Sequence, residues 1–279
     1  MKIKYLGTAA AEGWPAVFCD CSSCKKAAKA GGRNIRTRAQ AVIDNKLLID
    51  FGPDTYMHVL RHGFPLYQIR DCIVTHTHND HFYPSELLLK GRPYAVNGNK
   101  NPLTIYGNEK VKILLDRMQQ EENDSDNLAE CLFYQPIRLF ETMKIAGYQV
   151  TPLRAAHDKT ELCVIYHIED AAGKTLLYGC DTAYFPEDTW EYLRGKPLDI
   201  VTIDATMGTL ADCPTHMGMK TAFCVKERLK EIGCLKDSTK VILHHFSHNQ
   251  GAGLLHEEME RIAGRQNCAI SYDGMEVLA

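Results

Sequence analysis

The residues of this sequence with the clearest chemical potential follow the apolar run Ile73-Val74-Thr75. Within six positions the chain then carries three histidines and one acid, namely His76, His78, Asp80 and His81. Imidazole and carboxylate groups are ligands that zinc, manganese and iron accept from proteins. A single histidine would more often be a satisfied core residue or part of a surface cluster. Three histidines and an aspartate directly after a strand instead favour a metal site.

The elements that must position this group follow from the hydrophobic pattern. Short β-rich runs alternate with amphipathic segments, which is typical of a layered α/β fold. The pattern predicts a strand over residues 41–50, a helix over residues 84–89 and an exposed polar loop over residues 121–127. Because no repeat or linker interrupts the pattern, we expect a single domain over residues 1–279. In such folds, functional groups gather where strands end.

Composition and charge limit the class of protein. The chain has 279 residues, of which 45% are hydrophobic and 24% charged, so a disordered or fibrous protein is excluded. Its net charge of −3 lacks the basic excess of a dedicated nucleic-acid binder. No apolar run approaches the ~20 residues of a membrane span, and the first residues lack the pattern of a signal peptide. We therefore expect a soluble, cytoplasmic protein with no membrane partner.

Three of the 11 cysteines are clustered, at Cys19, Cys21 and Cys24. An odd number of cysteines without an export signal argues against a disulfide framework. Thiols at this spacing can face one tetrahedral ion from a loop, with the fourth ligand coming from elsewhere. The alternatives are a reduced, redox-active loop or three unrelated thiols.

The histidine-rich segment resembles the signature of the metallo-β-lactamase superfamily, and further motifs of that superfamily follow in the expected order. An aspartate, Asp50, ends an apolar strand before the signature, and His157, Asp181 and His245 follow later strands. The resemblance extends over nearly the whole chain. It implies an α/β fold, the four-layer αββα metallo-β-lactamase sandwich, with a one- or two-metal centre between the sheets.

The resemblance also implies a ligand set for two divalent metal ions, zinc or manganese. The ligands of the first ion would be His76, His78 and His157, those of the second Asp80, His81 and His245, and Asp181 would bridge both. Asp50 would orient the ligand loop through hydrogen bonds. We prefer His245 to His244 because the family motif places the ligand directly before Phe-Ser. Alternation along the strand would turn His244 to the other face.

The residues in the implied ligand set argue against two of the activities known in the superfamily. Superfamily members that hydrolyse β-lactams usually have cysteine where Asp181 stands, and those that transfer electrons through iron usually have glutamate for the second motif histidine. Neither substitution is present. Two divalent ions with a bridging carboxylate suit hydrolysis at a phosphorus or carbonyl centre. The superfamily resemblance therefore leaves phosphodiester, thioester and lactone hydrolysis open.

The cysteine cluster and the residues before it add a second, narrower resemblance. Residues 7–24 resemble the N-terminus of the cyclic phosphodiesterases of the carbon–phosphorus lyase pathway, in the phosphodiesterase branch that includes tRNase Z. That family carries a structural zinc on three such cysteines and on a histidine three residues after the last catalytic histidine. The resemblance thus implies a structural zinc on Cys19, Cys21, Cys24 and His248. The ion would anchor the N-terminal loop to the final ligand loop.

One histidine outside the ligand set, His216, precedes a predicted helix. Phosphodiesterases of this branch place a general acid here, which protonates the leaving-group oxygen or stabilises the charge on phosphorus. The alternatives are a helix-capping or merely exposed histidine. The tRNA-processing enzymes pair this histidine with a nearby glutamate, which this chain lacks. Asp204 is our hypothesis for the residue that orients His216.

These patterns predict a metal-dependent phosphodiesterase for small phosphodiesters, cyclic ribose or nucleotide phosphates among them, with Asp80 and His216 as catalytic residues. The long basic arm of tRNase Z is not evident, which argues for a small substrate over tRNA or another long nucleic acid. A homodimer is a candidate assembly because homodimers are common in this branch. The alternatives are ester, lactone or thioester hydrolysis, tRNA 3′ processing, a step like that in pyrroloquinoline quinone biosynthesis, and a non-hydrolytic metal-binding protein.

Overall fold

The computed structural model describes residues 1–121, 126–249 and 253–279, and within them two seven-stranded sheets dominate the fold. Most of the loop predicted over residues 121–127 lies outside the described residues. The first sheet contains β1 (Lys2–Gly7), β2 (Gln40–Ile43), β3 (Leu47–Ile49), β4 (Asp71–Ile73), β5 (Leu103–Gly107), β6 (Leu132–Pro136) and the last strand of the chain, β14 (Glu276–Leu278), which pairs with β1. The second sheet contains β7 (Met143–Ile145), β8 (Tyr148–Arg154), β9 (Val164–Glu169), β10 (Thr175–Gly179), β11 (Leu198–Asp204), β12 (Leu235–His244) and β13 (Ala269–Ile270).

Helices cover the outer face of each sheet. They are α1 (Ser22–Ala30), α2 (Thr55–His62), α3 (Glu109–Glu121), α4 (Leu128–Cys131), α5 (Glu187–Leu193), α6 (Met219–Glu231) and α7 (His256–Gly264). None of the described helices is both long and apolar enough to span a membrane.

The buried apolar side chains fall into three layers. Tyr5 and Ile49 of the first sheet meet Tyr166 and Tyr178 of the second in the core between the sheets. A second core lies between the second sheet and α1, α5, α6 and α7, and a third lies between the first sheet and its helices, including α3. Each sheet thus buries both faces, as the alternation of apolar runs and amphipathic helices requires. The predicted four-layer αββα sandwich is confirmed.

Two predicted elements differ from the structure. The strand predicted over residues 41–50 is a hairpin of β2 and β3, because Asp44 and Asn45 adopt φ angles of 49° and 53° and turn the chain. Aspartate and asparagine are among the few residues that favour this left-handed region. The helix predicted over residues 84–89 is a 3₁₀ helix, Pro84–Lys90.

The strand pairing brings the polar strand ends to one edge of the sandwich. β10, β11 and β12 are parallel neighbours, so Asp181, Asp204 and His245 lie at the same end of the second sheet. β3 and β4 are parallel in the first sheet, which places Asp50 beside the start of the histidine-rich loop. Asp50, Asp181 and His245 have φ angles of 67°, 59° and 64°. Such left-handed residues are uncommon and gather at functional sites.

Candidate metal centre

Four side chains from three segments form what we call the first cluster. Its members are His76, His78, His157 and Asp181, whose potential ligand atoms all lie within 4.8 Å of one another. His76 and His78 come from the loop after β4, His157 from the loop that joins β8 to β9, and Asp181 from the end of β10. His78 Nδ1 lies 3.0 Å from His157 Nε2, and His76 Nε2 lies 3.2 Å from Asp181 Oδ2.

A second cluster shares one of these residues. Its members are Asp80, His81, Asp181 and His245, again with potential ligand atoms within 4.8 Å of one another. His81 Nε2 lies 3.0 Å from Asp181 Oδ2 and 3.2 Å from both Asp80 Oδ2 and His245 Nε2. Asp181 therefore contacts histidines of both clusters, and it is placed where a bridging ligand would lie. The structure brings together every residue that the sequence assigned to the two sites.

Within the first cluster, the outer hydrogen bonds assign the histidine tautomers. His78 Nε2 lies 3.3 Å from the carboxylate of Asp158, and His157 Nδ1 lies 3.2 Å from the backbone oxygen of Thr215. Both partners only accept, so each of these nitrogens carries the proton. His78 Nδ1 and His157 Nε2 then present lone pairs to each other at 3.0 Å. Two lone pairs at this distance repel unless a cation lies between them.

The second cluster is arranged in the same way. His81 Nδ1 donates to Asp50 Oδ2 at 2.7 Å, so the neutral imidazole has its lone pair on Nε2. Without a metal ion, burial lowers the pKa of His81, but Asp80 and Asp50 outweigh burial and raise the pKa well above its usual value. Thr206 Oγ1 donates to Asp204 Oδ2 at 2.9 Å and therefore accepts from His245 Nδ1 at 2.8 Å. His245 Nε2 thus also presents a lone pair to the centre of the cluster. Outer partners that fix the tautomer in this way are typical of histidines that ligate metals.

Two buried polar atoms at the centre have close contacts within the site but no well-formed hydrogen bond. His76 Nε2 and Asp181 Oδ1 make no hydrogen bond of acceptable geometry, although such atoms in a protein interior are nearly always paired. The Nδ1 atom of His76 lies 3.1 Å from Thr75 Oγ1, so its proton faces away from the centre. The two clusters thus offer nitrogen and oxygen ligands whose lone pairs point inward, and two of these atoms make no well-formed hydrogen bond within the protein. This arrangement fits a pair of divalent cations.

The carboxylates of the clusters are held in their charged form. Burial disfavours ionisation of Asp181, but the surrounding histidines, His245 foremost, hold the pKa of Asp181 well below its usual value. Burial acts in the same direction on Asp80, and there His81 and His245 outweigh it and hold the pKa low. Ionised carboxylates are the form that binds divalent cations.

His216 lies beside the two clusters and does not complete either of them. Its Nδ1 is 3.0 Å from Asp181 Oδ1 and 3.3 Å from Asp204 Oδ2. Burial lowers the pKa of His216, but the nearby carboxylates of Asp181 and Asp204 outweigh this effect and raise the pKa to about 11. Asp204 is itself fully buried and accepts hydrogen bonds from Thr206 and from the backbone N–H of Met217. The aspartate proposed from the sequence thus contacts His216.

Both clusters open on one cavity of about 760 Å³, a size typical of small-molecule sites. His157, His216 and His245 form part of its lining. Lys159 also lines it and is exposed. The cavity therefore offers histidines, carboxylates and a lysine side chain to a polar ligand of moderate size.

The three clustered cysteines meet His248, as the N-terminal resemblance implied. Cys21 Sγ and Cys24 Sγ each lie 3.5 Å from His248 Nδ1, and Cys19 belongs to the same group. The expectation that all three thiols lie on a loop is wrong for Cys24, because Cys21 caps α1 and Cys24 lies in its first turn. The backbone N–H of Cys24 and then His248 lower the pKa of Cys21 to about 6. A thiolate at this position suits a metal ligand.

Replacing Cys21 with serine should remove the zinc ion that the resemblance implies at this cluster, and it should destabilise the protein. We expect the melting temperature to fall by about 10 °C, since the loss of a structural metal is among the most costly single changes. Differential scanning calorimetry and zinc analysis measure both effects. The matched control is Cys224→Ser, because Cys224 is exposed and lies outside the cluster. A Cys21→Ser protein with unchanged melting temperature and unchanged zinc content would contradict the structural site.

Some contributors to the site had not been identified from the sequence. Asp158 and Thr206 fix histidine orientation, and the backbone oxygen of Thr215 does the same for His157. The position of Asp158 directly after His157 was a usable signal, because an acid beside a ligand often orients a neighbouring ligand. Nothing in the sequence around Thr206 and Thr215 indicated that they would contact histidines of the clusters.

Known structures share this architecture. A structure described as a new diphosphatase from the PhnP family has a TM-score of 0.76 and 25% identity, over 100% of this chain and 97% of that one. Zn(2+)-bound PqqB from Methylobacterium extorquens has a TM-score of 0.76 and 18% identity over 100% of both chains. The metallo-beta-lactamase fold protein YhfI from Bacillus subtilis has a TM-score of 0.70 and 16% identity, over 99% and 98% of the two chains. At such identities, the last two show the fold alone.

The sequence also matches a family described as Anti-Pycsar protein Apyc1. The match extends over residues 39–260, which include every member of both clusters, as well as His216 and Asp204. No curated protein matches the sequence significantly. Since the matched region makes up well over half of the chain, this protein of the metallo-β-lactamase fold belongs to the Anti-Pycsar protein Apyc1 family.

Proposed function

We propose that the chain is a metal-dependent phosphodiesterase that hydrolyses small phosphodiesters, cyclic ribose or nucleotide phosphates among them. The observation that carries the proposal is the geometry of the two clusters. They share Asp181, direct histidine lone pairs inward, and lie beside a histidine that contacts two carboxylates. Two adjacent divalent ions and a nearby proton donor are the arrangement that in-line attack on a phosphodiester requires.

In this proposal the ions are zinc or manganese, held by His76, His78, His157 and Asp181 and by Asp80, His81, Asp181 and His245. When bound, such a pair lowers the pKa of a water molecule and neutralises charge on the phosphoryl oxygens. The protein supplies the remaining functions. Asp50, Asp158 and Thr206 hold the outer nitrogens of His81, His78 and His245, so that the neutral imidazoles direct their lone pairs inward. Ionised Asp80 and Asp181 provide the negative charge that retains two dications.

His216 is proposed to protonate the leaving-group oxygen. Its Nδ1 proton is directed at Asp204 Oδ2, which leaves the Nε2 side of the ring for the substrate. The negative charge of Asp204 favours the protonated imidazole, and it continues to do so when Asp181 is neutralised by bound cations. An imidazolium that retains its proton until an alkoxide develops is a competent general acid.

The proposed substrate class rests on the size and charge of the cavity. A volume of about 760 Å³ accommodates a mononucleotide-sized molecule. Lys159 at its rim offers a positive charge to an anionic substrate. The similarity to a diphosphatase of the PhnP family supports phosphate-ester chemistry over carboxyl-ester chemistry. A structural zinc on Cys19, Cys21, Cys24 and His248 completes the proposed metal content.

The proposal is tested by the hydrolysis of bis(p-nitrophenyl) phosphate. Protein loaded with Mn²⁺ or Zn²⁺ should release p-nitrophenolate, and a chelator that strips the two clusters should stop the release. Adding the metal back should restore the rate. No hydrolysis by protein shown to hold ions in both clusters would contradict the proposal. It would instead direct attention to ester, lactone or biosynthetic reactions on the same fold.

A further inference from the structure

A buried carboxylate, Glu161, lies between the two segments that supply the histidines of the first cluster. It belongs to the loop that joins β8 to β9, four residues after His157, and only 2% of its side chain is exposed. Glu161 Oε2 accepts a hydrogen bond of 3.0 Å from the backbone N–H of Thr77, and Oε1 accepts one of 2.8 Å from the Thr77 hydroxyl. Thr77 is the residue between His76 and His78.

These two hydrogen bonds fix the backbone that carries both histidines. The Thr77 N–H belongs to the peptide bond that joins His76 to Thr77, and the hydroxyl belongs to the residue between the two histidines, so the two bonds restrain the turn from which both imidazoles project. The bonds also join the loop after β4 to the loop that contains His157. One carboxylate therefore connects the segments that supply all three histidines of the first cluster, although 84 residues separate Glu161 from Thr77 in sequence.

Glu161 is in turn anchored to the first sheet. Asn108 Nδ2 donates to Glu161 Oε2 at 2.8 Å and to the backbone oxygen of Leu162 at 2.7 Å. Asn108 Oδ1 accepts from the backbone N–H of Val111 at the start of α3. Lys110 Nζ lies 3.6 Å from Glu161 Oε1. A buried carboxylate is costly unless donors surround it, and these donors lie on a rigid strand end and helix start.

We propose that Glu161 is a positioning residue that sets the metal affinity of the first cluster. It holds the His76-Thr77-His78 turn against the loop of His157, so that three imidazole nitrogens converge without a metal having to draw them together. Without Glu161 the three histidines would still be present, but they would not be held in position. Part of the free energy of metal binding would then be spent on ordering them, and the affinity would fall. The inference deepens the proposed function, because it concerns the same metal site.

The test compares Glu161→Ala with Glu161→Gln in zinc binding by equilibrium dialysis against chelator-buffered Zn²⁺. Glutamine can still accept from the Thr77 N–H with its oxygen and donate to the Thr77 hydroxyl with its amide, so we expect near wild-type binding. Alanine removes both bonds, and one ion should then require about 10–100-fold more free Zn²⁺. The ion at the cysteine cluster should bind as in the wild type and serves as an internal reference.

Two further variants keep the test decisive. Thr77→Val removes only the hydroxyl bond and should give a smaller shift in the same direction, even if Glu161→Ala fails to fold. Lys112→Met alters an exposed lysine of α3, which pairs with Asp116, and should leave zinc binding unchanged. Folded Glu161→Ala or Thr77→Val protein with wild-type zinc binding would overturn the inference. Wild-type protein that binds no zinc at the two clusters would instead overturn the proposed function.

Discussion

Replacing Asp80 with alanine should lower the rate of bis(p-nitrophenyl) phosphate hydrolysis by about a thousandfold or more. The substitution removes an anionic ligand from one of the two proposed catalytic metal ions. Asp80 Oδ2 lies 3.2 Å from His81 Nε2 and 3.8 Å from His245 Nε2, so it forms one wall of the second cluster. Its loss would leave two neutral imidazoles and the shared Asp181 to hold the second ion.

The measurement pairs initial rates with metal analysis of the same samples. Asp80→Ala should contain one ion fewer than the wild type, and the first cluster should remain occupied. Asp116→Ala is a matched control, because Asp116 is an exposed aspartate that pairs with Lys112 and belongs to neither cluster. An Asp80→Ala protein with the full rate and the full metal content would show that Asp80 is not a ligand.

Replacing His216 with glutamine should have an effect that depends on the leaving group. A general acid contributes about 10²–10⁴-fold when the departing oxygen is a strongly basic alkoxide. It contributes little when the departing group is p-nitrophenolate, which is stable without a proton. His216→Gln should therefore hydrolyse bis(p-nitrophenyl) phosphate nearly as fast as the wild type, and a ribonucleoside 2′,3′-cyclic phosphate far more slowly.

The ratio of the two kcat/KM values separates acid catalysis from simple damage to the site. Equal losses on both substrates would assign His216 to positioning or metal binding. Asp204→Asn is the companion variant, since an asparagine cannot favour the imidazolium that the Asp204 carboxylate favours. If Asp204→Asn retained full activity on the cyclic substrate across the pH range, Asp204 would not be the residue that orients His216.

The histidine-rich segment could be recognised from the sequence because it follows an apolar strand, and the remaining ligands were assigned through the superfamily resemblance. Asp50, His76, Asp181 and His245 all follow short apolar runs that the sequence shows clearly. Parallel strands then bring these ends to one edge, so their proximity follows from the fold class. Strand alternation also separated the two adjacent histidines: His244 packs against Tyr5 in the core, while His245 joins the second cluster.

The supporting residues could not be predicted because their partners are distant in the sequence. Glu161 and Asp158 lie in the same loop, and they contact Thr77 and His78 only after the two sheets have packed. Their residue types are typical of any exposed polar loop. The hairpin turn at Asp44 was missed although the sequence signals it, since Asp44-Asn45-Lys46 interrupts the apolar run with three polar residues.

The helix after the cysteines was missed for a local reason. The segment of α1 is nine residues long, and its apolar residues are one cysteine and three alanines, so it lacks the large apolar side chains that indicate a helix. Cys21 caps it with a thiol where serine, threonine or aspartate would be the usual signal. The resemblance to the metallo-β-lactamase superfamily is confirmed by the fold, whereas the narrower resemblance to cyclic phosphodiesterases of the carbon–phosphorus lyase pathway stays a prediction.

The pairing of β14 with β1 bears on the order in which the molecule can assemble. Lys2 lies opposite Leu278 in that pair, and the cysteines near residue 20 meet His248, so early and late parts of the chain contact each other directly. Contacts of such high sequence separation slow folding, because the entropy of loop closure is lost before they form. A nascent chain that has not yet released residues 245–248 from the ribosome would lack His245 of the second cluster and His248 of the cysteine site. The partly synthesised chain available to chaperones would therefore be an incomplete sandwich with an exposed sheet edge.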